Sequence, residues 1–271
     1  MRETVYSHPD IELTPELIVT KRTAIQNQEK NVQPVSMAGE PLLARSEGEP
    51  LDGMLHLPGP GRWPCVITAH GLLSTKASDK YLLLAAHLTK AGFACLRFDF
   101  RGCGESGGDL KDTTVSGRIK DLRAILARLQ DHQALDGRFF VVGSSLGGYV
   151  TVFVAPEMPQ VMATALWATP AHLRDLAGRT EALMAHGIGA PFFQELAVGT
   201  FAEAPVGLSH CLMIHGQRDE LVPASHAQVL YERANEPKAL EILPGADHRL
   251  TNPEDRERAI RLTIAWFTRH L

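Results

Sequence analysis

The sequence predicts an α/β protein with a mostly parallel, doubly wound sheet, and three observations carry that expectation. Short apolar runs of strand type alternate with amphipathic stretches of helical period along most of the 271 residues. The run Phe139–Val142 stops abruptly at Gly143-Ser144-Ser145-Leu146-Gly147, and a small-residue segment compatible with a helix follows. Two later strand-type runs end in loops that carry Asp219 and His248. With 44% apolar and 21% charged residues, the composition is that of an ordinary globular protein. The length suits one large domain.

The elements follow in order. Residues 1–31 are polar and aperiodic and are assigned to an N-terminal arm without chemistry; the domain is expected over 32–271. Val32–Leu57 reads as an antiparallel ribbon with turn signals at Ala38-Gly39-Glu40-Pro41 and Glu47-Gly48-Glu49-Pro50. Strands are expected at Pro64–Ala69, Phe93–Phe98, Phe139–Val142, Val161–Ala168, His210–His215 and Ala239–Leu243. Helices are expected at Lys80–Ala91, Val115–Leu129, Leu146–Ala155, Ser225–Ala234 and Pro253–His270, the second with Val115, Ile119, Leu122, Ile125, Leu126 and Leu129 on one stripe. Strands separated by helices demand right-handed crossovers and a sheet covered on both faces. About 169–209 is too long for a tight connection and is expected to form a helical cap insertion.

Composition also excludes function classes. A net charge of −4, with no Lys/Arg cluster interleaved with aromatics, gives no footprint for nucleic acid. No apolar run reaches the roughly 18 residues of a membrane span, and Met1-Arg2-Glu3-Thr4 begins no apolar secretory core. Cys65, Cys95, Cys103 and Cys211 lack metal-ligand spacing, which points to a reducing cytoplasm without disulfides. No metal or cofactor is expected. Nothing in the pattern reports an oligomeric state.

The chemistry concentrates in four loops. Glycines two positions either side of Ser145 leave room for neighbouring backbone in a tight strand-to-helix turn, which pushes the hydroxyl out at a helix N-terminus where developing negative charge is favoured. Ser144 is not midway between Gly143 and Gly147, so Ser145 is the candidate nucleophile. His248 is the candidate base and Asp219 its orienting acid, with Glu220 as nearest competitor and Asp247 as a turn cap. Both loops lie at strand C-termini, where ligands gather in an open parallel sheet. The amides of Leu72, in His70-Gly71-Leu72, and of Leu146 are the candidate oxyanion hole. His70 and His215 are expected to be structural, and Asp99, Arg101, Glu105 and Ser106 to fix backbone near the site. Among the apolar cap residues, Met184, Phe192 and Phe193 are candidates for contact with substrate, weighed against simple packing of the cap.

Taken with Arg97-Phe98-Asp99-Phe100-Arg101-Gly102-Cys103-Gly104-Glu105-Ser106, these segments resemble, in order, those of α/β-hydrolase-fold serine hydrolases over about residues 50–271. Asp112-Thr113-Thr114-Val115 and the Asp99 loop are similar to bacterial feruloyl/cinnamoyl esterases, whose cap is longer and whose elbow often reads Gly-His-Ser rather than Gly143-Ser144-Ser145. The resemblance implies a cofactor-free esterase acting on small-molecule carboxylic esters through an acyl-enzyme. Thioesters or small peptides and amides are the alternative substrates, and a non-catalytic binding protein on the same fold is the alternative class. Ser145 argues against the members that carry Asp or Cys at the elbow.

Overall fold

The computed structural model describes residues 38–271, which lie within the unit Met37–Leu271; the N-terminal arm expected over 1–31 lies outside the described residues. Among the described residues eight strands form one sheet: β1 (Glu40–Ser46), β2 (Glu49–His56), β3 (Trp63–Ala69), β4 (Ala94–Phe98), β5 (Leu135–Ser144), β6 (Val161–Trp167), β7 (Cys211–Gly216) and β8 (Lys238–Leu243). Their order is β1-β2-β4-β3-β5-β6-β7-β8, and every pairing from β4 to β8 is parallel while β2 runs antiparallel to both neighbours.

Helices cover both faces. α1 (Asp79–Lys90) and α7 (Pro253–Arg269) pack on one side through Tyr81, Leu84, Leu88, Ile260 and Phe267. α2 (Val115–Gln130), α3 (Leu146–Val154) and α6 (Ser225–Arg233) pack on the other through Ile119, Leu122, Leu126, Val150 and Leu230. Strand side chains alternate between these layers: Phe139 and Val141 join one core and Phe140 and Val142 the other. A continuous apolar run is therefore the pattern of a strand buried on both faces.

Differences from the sequence reading are local. Glu40 and Pro41 open β1 instead of forming a turn, and Pro41 is tolerated because β1 is the sheet edge. β5 begins at Leu135, before the apolar run, because Leu135 pairs with Trp63 across a bulge. Ala168 and His210 have positive φ and fall just outside β6 and β7.

Between β6 and β7 the chain forms a 3-10 turn at Arg174–Arg179 and the short helices α4 (Thr180–Ala185) and α5 (Ala190–Val198). Its two ends are tied at the base, where Leu173 donates to the Ala202 carbonyl at 3.1 Å and Ala204 to that of Ala171 at 2.8 Å. No helix among the described residues is long and apolar enough to cross a membrane.

Candidate active site

The parallel strands bring their carboxyl ends to one edge, nearly level. Ala69 of β3 pairs with Gly143 of β5, Ser144 with Trp167 of β6, Trp167 with Ile214 of β7, and Gly216 with Leu243 of β8. Ser145 follows β5 at φ 54° and ψ −124°, a conformation that costs about 1–3 kcal/mol for a residue with a Cβ. The turn is clamped by its neighbours: the Ser145 amide donates to Trp167 O at 2.8 Å and its carbonyl accepts from the Tyr149 amide at 3.0 Å. A Cβ at Gly143 would stand 2.5 Å from Gly148 Cα, and one at Gly147 would overlap the Ala69 carbonyl. Both glycines are thus required by close backbone approach. Ser145 keeps solvent access, whereas Ser144 is buried and accepts a hydrogen bond from Lys80 Nζ at 2.8 Å.

The loop after β3 lies against the serine; a Cβ at Gly71 would be 3.3 Å from Ser145 Cβ. His70 pins this loop. Its Nδ1 faces the Gly71 carbonyl at 2.8 Å, so Nδ1 carries the proton, and Nε2 accepts from the Phe100 amide at 3.0 Å. Burial, aided by the Arg118 charge, pushes the His70 imidazole down to about 3, so it stays neutral. That is the structural role expected of it.

Asp219 and His248 meet. Their loops are stitched together by Gln217 N to Leu243 O and Arg218 N to Ala246 O, both 2.9 Å. His248 Nδ1 donates to Asp219 Oδ2 at 2.7 Å. Oδ1 accepts from the Leu221 and Val222 amides at 2.9 and 2.7 Å. Oδ2 also receives His215 Nε2 at 3.1 Å, so His215 buttresses the acid from beneath. Burial alone would push the Asp219 carboxyl up, but the hydrogen bonds from His215 and His248 hold it well below the usual carboxylate range. Glu220 reaches only the His248 backbone amide, and Asp247 accepts from the Thr251 amide as a turn cap. With its proton on Nδ1, His248 presents a free lone pair on Nε2.

Among the described residues no hydrogen bond joins the Ser145 hydroxyl to His248. The two loops share a neighbour instead: Lys80, bonded to Ser144, feels the charges of Asp247 and Arg249 on either side of His248. Burial and the nearby Arg249 and Arg256 push the Lys80 ammonium down to about 8.

The charged loop after β4 fixes backbone. Asp99 accepts from the Lys76 amide at 2.6 Å and from Lys76 Nζ at 2.7 Å, and Arg101 grips Asp121 at 2.8 and 2.6 Å. Among the described residues, two groups of side chains have metal-like proximity. Asp52, Asp99 and Glu105 surround Lys76 Nζ, which fills the space a cation would take. In His172, Asp175 and His226, Nδ1 of His226 accepts from the Ala171 amide at 3.0 Å, so its Nε2 carries the proton and has no lone pair for a metal. Of the cap candidates, Phe192 has no exposed surface and packs edge-on against the half-buried Phe193 at 5.6 Å, while Met184 is exposed.

Comparison with known proteins agrees with this architecture. Residues 63–210 match the family described as serine aminopeptidase, S33 (Hydrolase_4). The palmitoyl-protein thioesterase ABHD10, mitochondrial, of Homo sapiens is 34% identical over 100 residues, 37% of this chain and 31% of that protein; the rat protein of the same name is 26% identical over 219 residues, 72% of each. Against the human protein the chain therefore spans less than a third of the relative's length. Among solved structures, the Pyrococcus furiosus esterase Pf2001 is 26% identical with a TM-score of 0.69, covering 89% of this chain and 96% of that one. Est1E from Butyrivibrio proteoclasticus, solved with ferulic acid bound, has a TM-score of 0.73 at 19% identity, covering 84% and 98%, and shares the fold.

Proposed function

We propose that this chain, which belongs to the serine aminopeptidase S33 family of α/β hydrolases, cleaves small-molecule carboxylic esters through Ser145, His248 and Asp219. The observation that carries the reading is the 2.7 Å bond from His248 Nδ1 to a buried, ionised Asp219, in loops that leave the same edge of the sheet as a strained, accessible serine. Such a bond fixes the imidazole tautomer with Nε2 free to act as base. Nε2 takes the Ser145 proton as Oγ bonds to the acyl carbon, and the carbonyl electron pair moves onto oxygen. The amides of Leu72 and Leu146 donate to that oxyanion. Leu146 is the first residue of α3, so its N–H has no intrahelical partner. Collapse breaks the bond to the leaving alcohol, which takes the proton from His248, and water releases the acid by the same steps in reverse order.

A thioester substrate is the second reading, favoured by the relatives named palmitoyl-protein thioesterase. In both readings the segment 169–209 forms the cap over Ser145. Met184 and Phe193 offer apolar surface for an acyl chain, and Phe192 anchors the cap. Four free, buried cysteines suit a reducing compartment such as the cytoplasm. Initial rates on p-nitrophenyl esters and acyl thioesters of graded length test the reading. Wild-type turnover should fall at least about 10³-fold in Ser145→Ala. A variant as active as wild type removes the proposal, and a folded wild type inert on the whole panel makes the chain a binder on a hydrolase scaffold.

A further inference from the structure

Among the described residues, Arg118 is the one guanidinium with no exposed surface, and it lies beside the candidate oxyanion loop. It sits on α2, fully buried, with its guanidinium carbon 4.8 Å from the Phe100 ring centroid. Nη1 donates to the Gly71 carbonyl at 3.3 Å, Nη2 to the Leu72 carbonyl at 3.1 Å and to Cys103 Sγ at 3.3 Å, and Nε to Thr113 Oγ1 at 3.1 Å. Among the described residues no carboxylate hydrogen-bonds to it; Asp121, buried on the same helix, acts on its charge only from a distance and is itself bonded to Arg101. Cys103 gives no counter-charge, since burial pushes its thiol up. A buried cation with no carboxylate bonded to it carries a desolvation cost that hydrogen bonds to neutral carbonyls offset only in part. Packing alone therefore gives a poor account of this arginine.

The carbonyls it holds give a better one. In a trans peptide the C=O and N–H point in opposite directions. The Gly71 carbonyl is held from one side by His70 Nδ1 at 2.8 Å and by Arg118 Nη1 at 3.3 Å, so the Leu72 N–H of that same peptide is turned the other way. A cation on the carbonyl also polarises the peptide and makes its N–H a stronger donor. The next carbonyl, that of Leu72, accepts from Nη2, so the same guanidinium holds both peptides that flank the Leu72 Cα.

We propose that Arg118 is a positioning residue for catalysis: through the Gly71 and Leu72 carbonyls it orients and polarises the Leu72 amide that receives the oxyanion. The inference rests on the assignment of that amide under the proposed function. Its effect belongs to the transition state, because the oxyanion exists only there and in the intermediates.

The test compares wild type, Arg118→Met and Arg118→Lys for kcat and KM on p-nitrophenyl butyrate and for the rate of labelling by a fluorophosphonate, with thermal unfolding as the folding control. Methionine keeps length and burial and removes every donor. Arg118→Met should lose about tenfold or more in both kcat and labelling rate, with KM within threefold, a part of the roughly 10²–10³ that a whole oxyanion donor contributes. Arg118→Lys, able to reach one carbonyl, should fall between. A kcat and labelling rate within twofold of wild type, or a loss confined to KM, overturns the inference. Should Arg118→Met fail to fold, Arg118→Lys decides by the same criteria, with a threefold loss as its threshold. Retained turnover in Ser145→Ala would instead overturn the underlying assignment, so the two failures are distinguishable.

Discussion

At the scale of single residues, histidines without a role in proton transfer carry much of the site's rigidity. His70 is neutral by necessity: one ring nitrogen gives a proton to Gly71 O and the other receives one from Phe100 N–H. Its pKa falls from the ordinary 6.5 to about 3 on folding. Between those values the unfolded chain binds the proton and the folded chain does not, so stability declines as pH falls from about 6.5 toward 3, by up to about 1.4 kcal/mol per unit. His56 and His226 are also pushed down by burial and act with the same sign. The difference between wild type and His70→Asn therefore isolates this group. Urea unfolding from pH 7 to 4.5 should show a shallower loss for the variant by about one proton; parallel curves would remove His70 as an acid-sensitive group. The residues legible from sequence were those with local signatures. Ser145 is flanked by glycines, and Asp219 and His248 each follow a strand-type run. His215, read from the sequence only as structural, meets Asp219 four residues on, where the chain folds back after β7, and no local motif announces that turn. Arg118 left a trace that was readable: a charge three residues after Val115 and four before Leu122, on the buried stripe of its helix.

At the scale of elements, the segment between β6 and β7 is fastened to the core by a charge on a helix end. Glu195 of α5 accepts from the Val115 amide at 2.5 Å and from the Ser116 amide at 3.1 Å, two of the orphan donors at the start of α2. Thr114 satisfies a third, accepting from the Gly117 amide at 2.9 Å. A carboxylate there stabilises by about 0.3–2 kcal/mol. The joint is backed by close approach, since a Cβ at Gly189 would overlap the Lys111 carbonyl. Glu195→Ala should raise hydrogen exchange in residues 174–200 severalfold while the central strands stay protected; unchanged exchange in that segment would show that apolar packing alone holds it. Core elements were readable because burial on two faces leaves continuous apolar runs and one-sided burial leaves a helical stripe. α2, expected over Val115–Leu129, forms over Val115–Gln130. Over about 169–209 only helical character was legible; the individual helices were not, as they are short and their anchors are single polar contacts between distant segments.

At the scale of the whole molecule, topology does the assembling. Side chains far apart in sequence reach one rim because β3 to β8 run parallel, with loops leaving from the same edge. Neighbouring strands stand about 4.8 Å apart, so β5 and β8 are about 14 Å apart, and five residues beyond Leu243 supply enough chain to carry His248 back toward Ser145. The most direct test of this convergence is the site of covalent modification. Folded protein treated with a fluorophosphonate and mapped by peptide mass spectrometry should carry one label, on Ser145, with the labelling rate collapsing in His248→Ala. A label on Ser144 or elsewhere, or a rate indifferent to His248, would contradict it.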